Sequence, residues 1–209
     1  MAIESQGTTI EIGTGDGTPV SITGVTLGAV TKVTATAHGL SVGDVVTFAS
    51  ITGTTELNGQ TAMVTAVEGD DDFWVNIDSS SYTDYTSDGT ATPNDYTIVG
   101  EIVDWDGPSG EAAVIDTTHL TSTRREKLMG LPDEGQITFS VNFQPDDAGQ
   151  QAVRAARNDR QVRNWRLTYS DATVQTFEGF ALGFSTSGGV DGKVDGNITV
   201  EISGEVTTA

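Results

Sequence analysis

The stretch QITFSVNF, residues 136–143, decides the reading of this chain: Ile137, Phe139, Val141 and Phe143 point one way, Gln136, Thr138, Ser140 and Asn142 the other. Strict alternation over such a run is the mark of a strand with one buried and one polar face. NITVEISGEV (197–206) follows the same rule. Ile198, Val200 and Ile202 alternate there with Asn197, Thr199, Glu201 and Ser203.

Working outward, WRLTY (165–169) and TVQTFEGFALGF (173–184) read as further strands, with a change of phase at Glu178–Gly179 that predicts a bulge. YTIVGEIV (96–103) reads as one strand. Toward the N-terminus, TTIEI (8–12) and residues 30–37, 43–49, 60–67 and 73–77 complete the set, with Asn58–Gly59 as a hairpin-turn signal. One segment breaks the pattern. PDDAGQQAVRAARND (145–159) places Asp146 and Asp147 at its start and Arg154 and Arg157 near its end, which complements a helix dipole. Ala152, Val153, Ala155 and Ala156 offer it a small apolar face. Residues 106–135 carry Gly107, Pro108, Gly110, Gly130, Pro132 and Gly135 without sustained period. They read as a long loop with one extended piece at 112–115, and loops of that length usually have a task.

Composition agrees with an all-β fold. The chain has 32 Thr, 21 Val and 12 Ile, side chains that suit a pleated surface and lose rotamer freedom in helices. Its 25 Gly supply turns. A net charge of −20 opposes binding to nucleic acid or anionic membrane. The charge is uneven: residues 1–95 hold 13 acids and a single base, Lys32. Basic residues gather instead at Arg124, Arg125 and Lys127 and from Arg154 to Arg166. This contrast, with turn-formers at Gly17–Pro19 and Pro93–Asn94, divides the chain into residues 1–17 plus 94–209 and an inserted module at 18–93. Pro93 reads as the exit linker.

No motif carries chemistry. Cysteine is absent, which excludes thiolate catalysis, disulfides and Cys-based metal sites. GTGDG (13–17) lacks the following helix that a phosphate-binding loop requires and reads as a turn, as does GGVDGK (188–193). Asp70, Asp71 and Asp72 lack the spaced ligand set of a calcium loop and read as a sharp turn before FWVNI. His38 and His119 stand apart from any serine or carboxylate constellation. No cofactor or metal is expected, and no enzyme activity. The first residues show neither the basic nor the apolar region of an export signal, and no apolar run reaches membrane length, so assembly in a cytoplasm without membrane contact is the expectation.

Two resemblances then give these segments a context. VIDTTHLTSTRREKLMGLPDEGQITFSVNF (114–143), QPDDAGQQAVRAARND (144–159) and WRLTYSDATVQTFEGFALGFSTSG (165–188), followed by the last alternating strand, resemble in order and spacing the tail tube proteins of lambda-like siphophages. VTATAHGLSVGDVVTF (33–48), TELNGQTAMVTAV (55–67), FWVNID (73–78) and YTDYTSDGTA (82–91) resemble a small β-module of phage structural proteins. That module is related in name to the first catalytic cysteine half-domain (FCCH) of ubiquitin-activating enzymes. Without cysteine, thioester transfer has no nucleophile here.

The first resemblance implies a β-sandwich flanked by one helix, whose copies close into hexameric rings with the inner sheets joined as a barrel. It implies that rings stack through a long loop, here 106–135, so that Arg124, Arg125 and Lys127 become inter-ring contacts. The lumen conducts double-stranded DNA, and tape measure, tail terminator and distal tail proteins are the implied partners in the virion tail. DNA must slide without tight binding, so base-free polar strand faces are expected to line the bore: Thr138, Ser140 and Asn142 with Thr199, Glu201 and Ser203. Six modules of the size of 18–93 would block such a bore, which places them on the outer surface. Two alternatives stand beside this reading. One is another tube-fold component, such as a distal tail or tail terminator protein or the tube of a phage-derived particle. The other is a carbohydrate-binding module using Trp74, Tyr82 and Tyr85.

Overall fold

A computed structural model describes residues 3–209, and the fold is all-β, with one α-helix among the described residues. In chain order the strands are β1 (Thr9–Asp16), β2 (Val20–Ser21), β3 (Gly24–Thr26), β4 (Thr31–Thr34), β5 (Val45–Ala49), β6 (Thr61–Glu68), β7 (Asp72–Val75) and β8 (Thr90–Ile98). There follow β9 (Ile102–Asp106), β10 (Glu111–Asp116), β11 (Lys127–Asp133), β12 (Gln136–Asn142), α1 (Ala148–Asp159), β13 (Arg163–Thr168), β14 (Val174–Ser187), β15 (Asp195–Ile202) and β16 (Thr207–Thr208). At 12 residues, α1 falls well short of a membrane span.

The chain divides into two compact units: residues 1–98, 164–176 and 207–209 form the first, and 99–163 with 177–206 the second. Within the first, residues 20–91 form a closed barrel. The path runs β3-β4-β7-β6-β5-β8, and the continuous segment that carries β2 and β3 pairs with β8 at one end and β4 at the other. Closure leaves no sheet edge to template aggregation. Val33, Phe48, Leu57, Val64, Phe73 and Val75 fill the interior and are fully buried. His38 is buried too. Its ring packs edge-on to Phe73 at 5.2 Å between centroids, and its Nδ1 accepts the Leu40 N–H. Asn58–Gly59 makes a different turn from the two-residue hairpin expected. Asn58 is extended (φ −63°, ψ 126°), Gly59 has φ +82°, and Gln60 N–H donates to the Leu57 carbonyl at 2.9 Å. That is a type II turn, which needs glycine at its third position. It ends a longer β5–β6 connection, pinned by the Asn58 side chain, which exchanges two hydrogen bonds with the Ile51 backbone.

β8 ties this barrel to the remaining strands of its unit. Thr90–Pro93 pair with β5, and Asn94–Ile98 pair with β1. Pro93 therefore lies inside a strand, where a linker was expected, and the pairing partner changes at the next residue, Asn94. GTGDG also departs from expectation. Gly13 and Gly15 continue β1 through a register shift, and a Cβ at Gly13 would meet the Asn164 carbonyl at 3.1 Å. Gly13 and Gly17 serve close approach to neighbouring backbone and side chains, a constraint invisible to a local turn rule.

An ion cluster crosses the same unit. Arg166 on β13 reaches Glu11 on β1 (Nε–Oε2 2.5 Å) and Asp44 before β5 (Nη1–Oδ1 2.6 Å), and its guanidinium lies 4.3 Å from the centre of the Tyr96 ring. Burial opposes the charge on Arg166, but Glu11 and then Asp44 outweigh it and hold the pKa above its ordinary value. Burial pushes the Tyr96 phenol far upward, so the ring stays neutral. Nearby, Gly43 (φ +90°) sits so close to Val174 that a Cβ would come within 2.6 Å of it, and Thr176 Oγ1 contacts Met63 Sδ at 3.1 Å.

In the second unit β14, β15, β12 and β9 form an antiparallel sheet in that order. Three expectations change here. YTIVGEIV is two strands, because Gly100 meets the helix cap: its N–H donates to Asp147 Oδ1 at 3.3 Å, and a Cβ would come within 2.3 Å of the other carboxylate oxygen. Glu101 then turns at φ +62°. The bulge expected at Glu178–Gly179 falls between Ala181 and Gly183. Residues 106–135 are not a structureless loop but carry the antiparallel hairpin β10–β11.

Removing Arg166 leaves Glu11 and Asp44 facing each other without a counter-charge. Arg166→Ala is expected to cost about 3 kcal/mol, the low end for breaking a buried pair, because the cluster keeps some solvent contact. Urea denaturation checks this. Arg163→Ala, which breaks only the more exposed pair with Asp159, is expected to leave the midpoint nearly unchanged.

Candidate functional site

The site is built on the pairing of β12 with β15, which holds one register from Gln136↔Glu201 to Asn142↔Asp195. Directly opposed residues share a face. Ile137, Phe139, Val141, Ile198 and Val200 are all buried on one side. Gly196 is part of that fit, since a Cβ would come within 2.8 Å of Val141 Cγ2 and 3.6 Å of the Phe184 ring.

The other side is the expected polar face, and the structure brings most of its members together. Thr138 lies opposite Thr199, Ser140 opposite Asn197 and Gln136 opposite Glu201, with Gln136 Nε2 donating to Glu201 Oε2 at 2.7 Å. Asn142 joins them and donates to Glu101 Oε2 at 2.8 Å. Ser203 does not. It lies beyond β15, and its N–H donates to the Glu178 carbonyl at 2.8 Å.

The register extends this face on both sides in ways the alternation alone did not reveal. β9 adds Asp106 opposite Thr138 and Asp104 opposite Ser140. β14 adds Ser185 opposite Asn197. Two bases also arrive. Lys193 reaches Asn142 Oδ1 and pairs with Asp195 at 3.1 Å, and Arg157 of α1 lines a cleft of about 430 Å³ with Thr138, Asn197 and Thr199. The face is thus not base-free, though Asp104, Asp106, Asp195 and Glu201 leave it acidic. Counting back two residues from Asp195 would have found Lys193. Nothing local in the sequence gives the reach of Arg157.

The helix is fixed beside this sheet by its first turn. Asp147 caps it, accepting the Gln150 N–H at 2.7 Å. Gln150 is fully buried and satisfies three backbone groups: it accepts from Gln144 N–H and donates to the Gly100 and Asn142 carbonyls. Val153 and Ala156 complete the buried face, while Ala155 is exposed. Arg154 lies 5.5 and 5.6 Å from the Phe143 and Phe184 ring centres.

The expected contact residues Arg124, Arg125 and Lys127 lie at the far end of the β10–β11 hairpin, all exposed. Arg125 approaches Asp116 at 4.0 Å, and Lys127 opposes Asp116 in the ladder. Val114 opposes Met129 and Ile115 opposes Leu128, so successive pairs turn to opposite faces, and all four side chains are exposed. A lone two-stranded hairpin is marginal in water. One that shows apolar side chains on both faces calls for a covering partner.

The aromatic residues considered for carbohydrate do not gather on one exposed surface. Tyr82 and Tyr85 pack against the barrel core, and Lys32 lies over the Trp74 ring at 5.1 Å. His119 is exposed in the hairpin loop, and the described residues contain no cluster able to hold a metal ion.

Comparison with known families bears on the whole chain. A family model described as "Lambda phage tail tube protein, TTP" matches residues 77–209, more than half of the chain. A second, described as "Ubiquitin-activating enzyme E1 FCCH domain", matches residues 26–94. No curated protein matches the chain.

Proposed function

The chain belongs to the lambda phage tail tube protein family, and from that membership we propose that its copies close into hexameric rings which stack into the hollow tube of a non-contractile phage tail. As a member it is a structural protein of the virion tail that assembles with itself. In the proposed tube the bore conducts double-stranded DNA from capsid to host. Tape measure, tail terminator and distal tail proteins are its proposed partners in the tail. Assembly takes place in the host cytoplasm.

The observation that carries this reading is the acidic polar face of β9, β12, β15 and β14. A basic wall would capture phosphates by releasing counterions. A face of Thr, Ser and Asn edged by Asp104, Asp106 and Glu201 lets a duplex pass without holding it. Lys193 pairs with Asp195, and the other base at the face, Arg157, is outnumbered by Asp104, Asp106 and Glu201.

Two further parts follow from the same reading. The β10–β11 hairpin joins neighbouring rings, with Arg124, Arg125 and Lys127 against acidic surface of the next copy. Residues 18–93 form a module outside the bore: a compact unit of that length measures about 23 Å across by the usual size scaling, and six would obstruct the channel. The FCCH match ends at Asn94, the residue at which β8 exchanges β5 for β1 as partner.

Thr138→Lys combined with Glu201→Lys is expected to leave tubes intact while impairing DNA delivery. Plaque assays on phage carrying the double variant check this, and undiminished infectivity would remove the face from the bore. Replacing Arg124, Arg125 and Lys127 together by Glu is expected to yield folded subunits that do not polymerise. Circular dichroism and sedimentation separate folding from assembly, and tubes of normal length would show the three charges to be dispensable.

A further inference from the structure

In a chain with 30 acids and 10 bases, most basic side chains should find a carboxylate. Lys32, Arg125, Arg163, Arg166 and Lys193 do, within 4.0 Å. Among the described residues five bases have none within that distance: Arg124, Lys127 and Arg154, and the neighbouring pair Arg157 and Arg160. Arg157 and Arg160 stand at the C-terminal end of α1, where a helix dipole favours positive charge. That alone would make them solvated surface groups. They are not alone, however. With Val162, Phe180 and Leu182 they line a cleft of about 750 Å³, and Val162 and Leu182 are nearly half exposed.

The same unit carries a second cleft of opposite character. Between the base of the β10–β11 hairpin and the end of β15 lies a space of about 1010 Å³ walled by Glu111, Asp133, Glu134 and Glu205. Its apolar lining includes Val114 and Leu131, the latter 89% exposed. No base lines it, and the two clefts share no residue. One is cationic with an apolar rim, the other anionic with an apolar wall.

We infer that the C-terminal end of α1 in one copy seats in the acidic cleft of a second copy, Arg157 and Arg160 against its carboxylates and Val162 and Leu182 against Leu131 and Val114. The inference rests on the self-assembly reading above and adds to it a contact between unlike surfaces, distinct from the hairpin tip. Such a heterologous contact repeats from copy to copy, closing a ring if its rotation closes and otherwise extending a filament. The charges fix partner and register, and the apolar groups supply burial. A phosphodiester chain would satisfy the arginines but leave Val162 and Leu182 uncovered, and it would be repelled by the acidic cleft.

The absence of cysteine makes the test clean. Leu131→Cys combined with Asn158→Cys, both at exposed positions, is treated in the full-length assembled protein with a short bismaleimide. The expected result is a ladder of covalent multimers on a denaturing gel, while either cysteine alone gives dimers at most. Adding Arg157→Glu and Arg160→Glu should abolish the ladder, and adding Glu111→Arg and Glu134→Arg to those should restore it. Well-formed tubes without a ladder overturn the contact and leave the tube reading standing. A ladder indifferent to charge reversal overturns the charge match. Failure of the unsubstituted chain to assemble overturns the tube reading and this contact with it. Retention of a short DNA duplex by the unsubstituted protein, lost in Arg157→Glu/Arg160→Glu, would assign the arginines to nucleic acid instead.

Discussion

The unbroken register between β12 and β15 is the constraint on which the rest of the second unit depends. Side chains in a strand alternate, so a slip of one residue would send Ile137, Phe139 and Val141 to the polar face and bring Thr138 and Ser140 into the core. Burying Ile198 and Val200 against the same surface makes that slip costly. Gly196, with no room for a Cβ beside Val141, locks the far end. Once the register is set, the polar face follows without further design: every residue that is not needed inside is displayed outside in a fixed order. The face proposed to meet DNA is thus a by-product of the packing that stabilises the sheet.

The first unit solves a different problem. A barrel poor in bases, residues 20–91, must be attached to strands that are distant in sequence. Closure of the barrel by β2 and β3 satisfies its own edges, so attachment falls to a few contacts beyond β8. Arg166 is central among them, because one guanidinium engages β1 and the β5 approach together, with the neutral Tyr96 ring on its face. Gly43 against Val174 and Met63 against Thr176 add close packing at the same junction. The barrel is thus held to the other strands of its unit by charge and shape.

Much of this was legible in the sequence, for a physical reason. Strands with one buried face must alternate, and 136–142 and 197–202 were readable because each buries a single side. The helix was readable from Asp147 and the trailing arginines. What stayed hidden depended on partners far along the chain. The break after Ile98 is caused by Asp147, and alternation runs straight across it. The β10–β11 hairpin exposes both faces, so no core writes a period into it, and its residues resemble a loop. Gln150 gives no sign of being buried, since its value lies in three backbone groups that meet only in the folded unit. The face residues Thr138, Ser140, Asn142, Thr199 and Glu201 were found together. Ser203 was not among them, because the strand ends before it, and Arg157 came to the face from the helix.

The central claim is that copies of this chain build a tube, and electron microscopy of the purified full-length protein in negative stain tests it most directly. The account predicts long hollow filaments of stacked rings with a uniform bore wide enough for a DNA duplex. Isolated rings that never stack would assign the chain to a terminal tail component, and particles that remain monomeric at assembly concentrations would contradict the account.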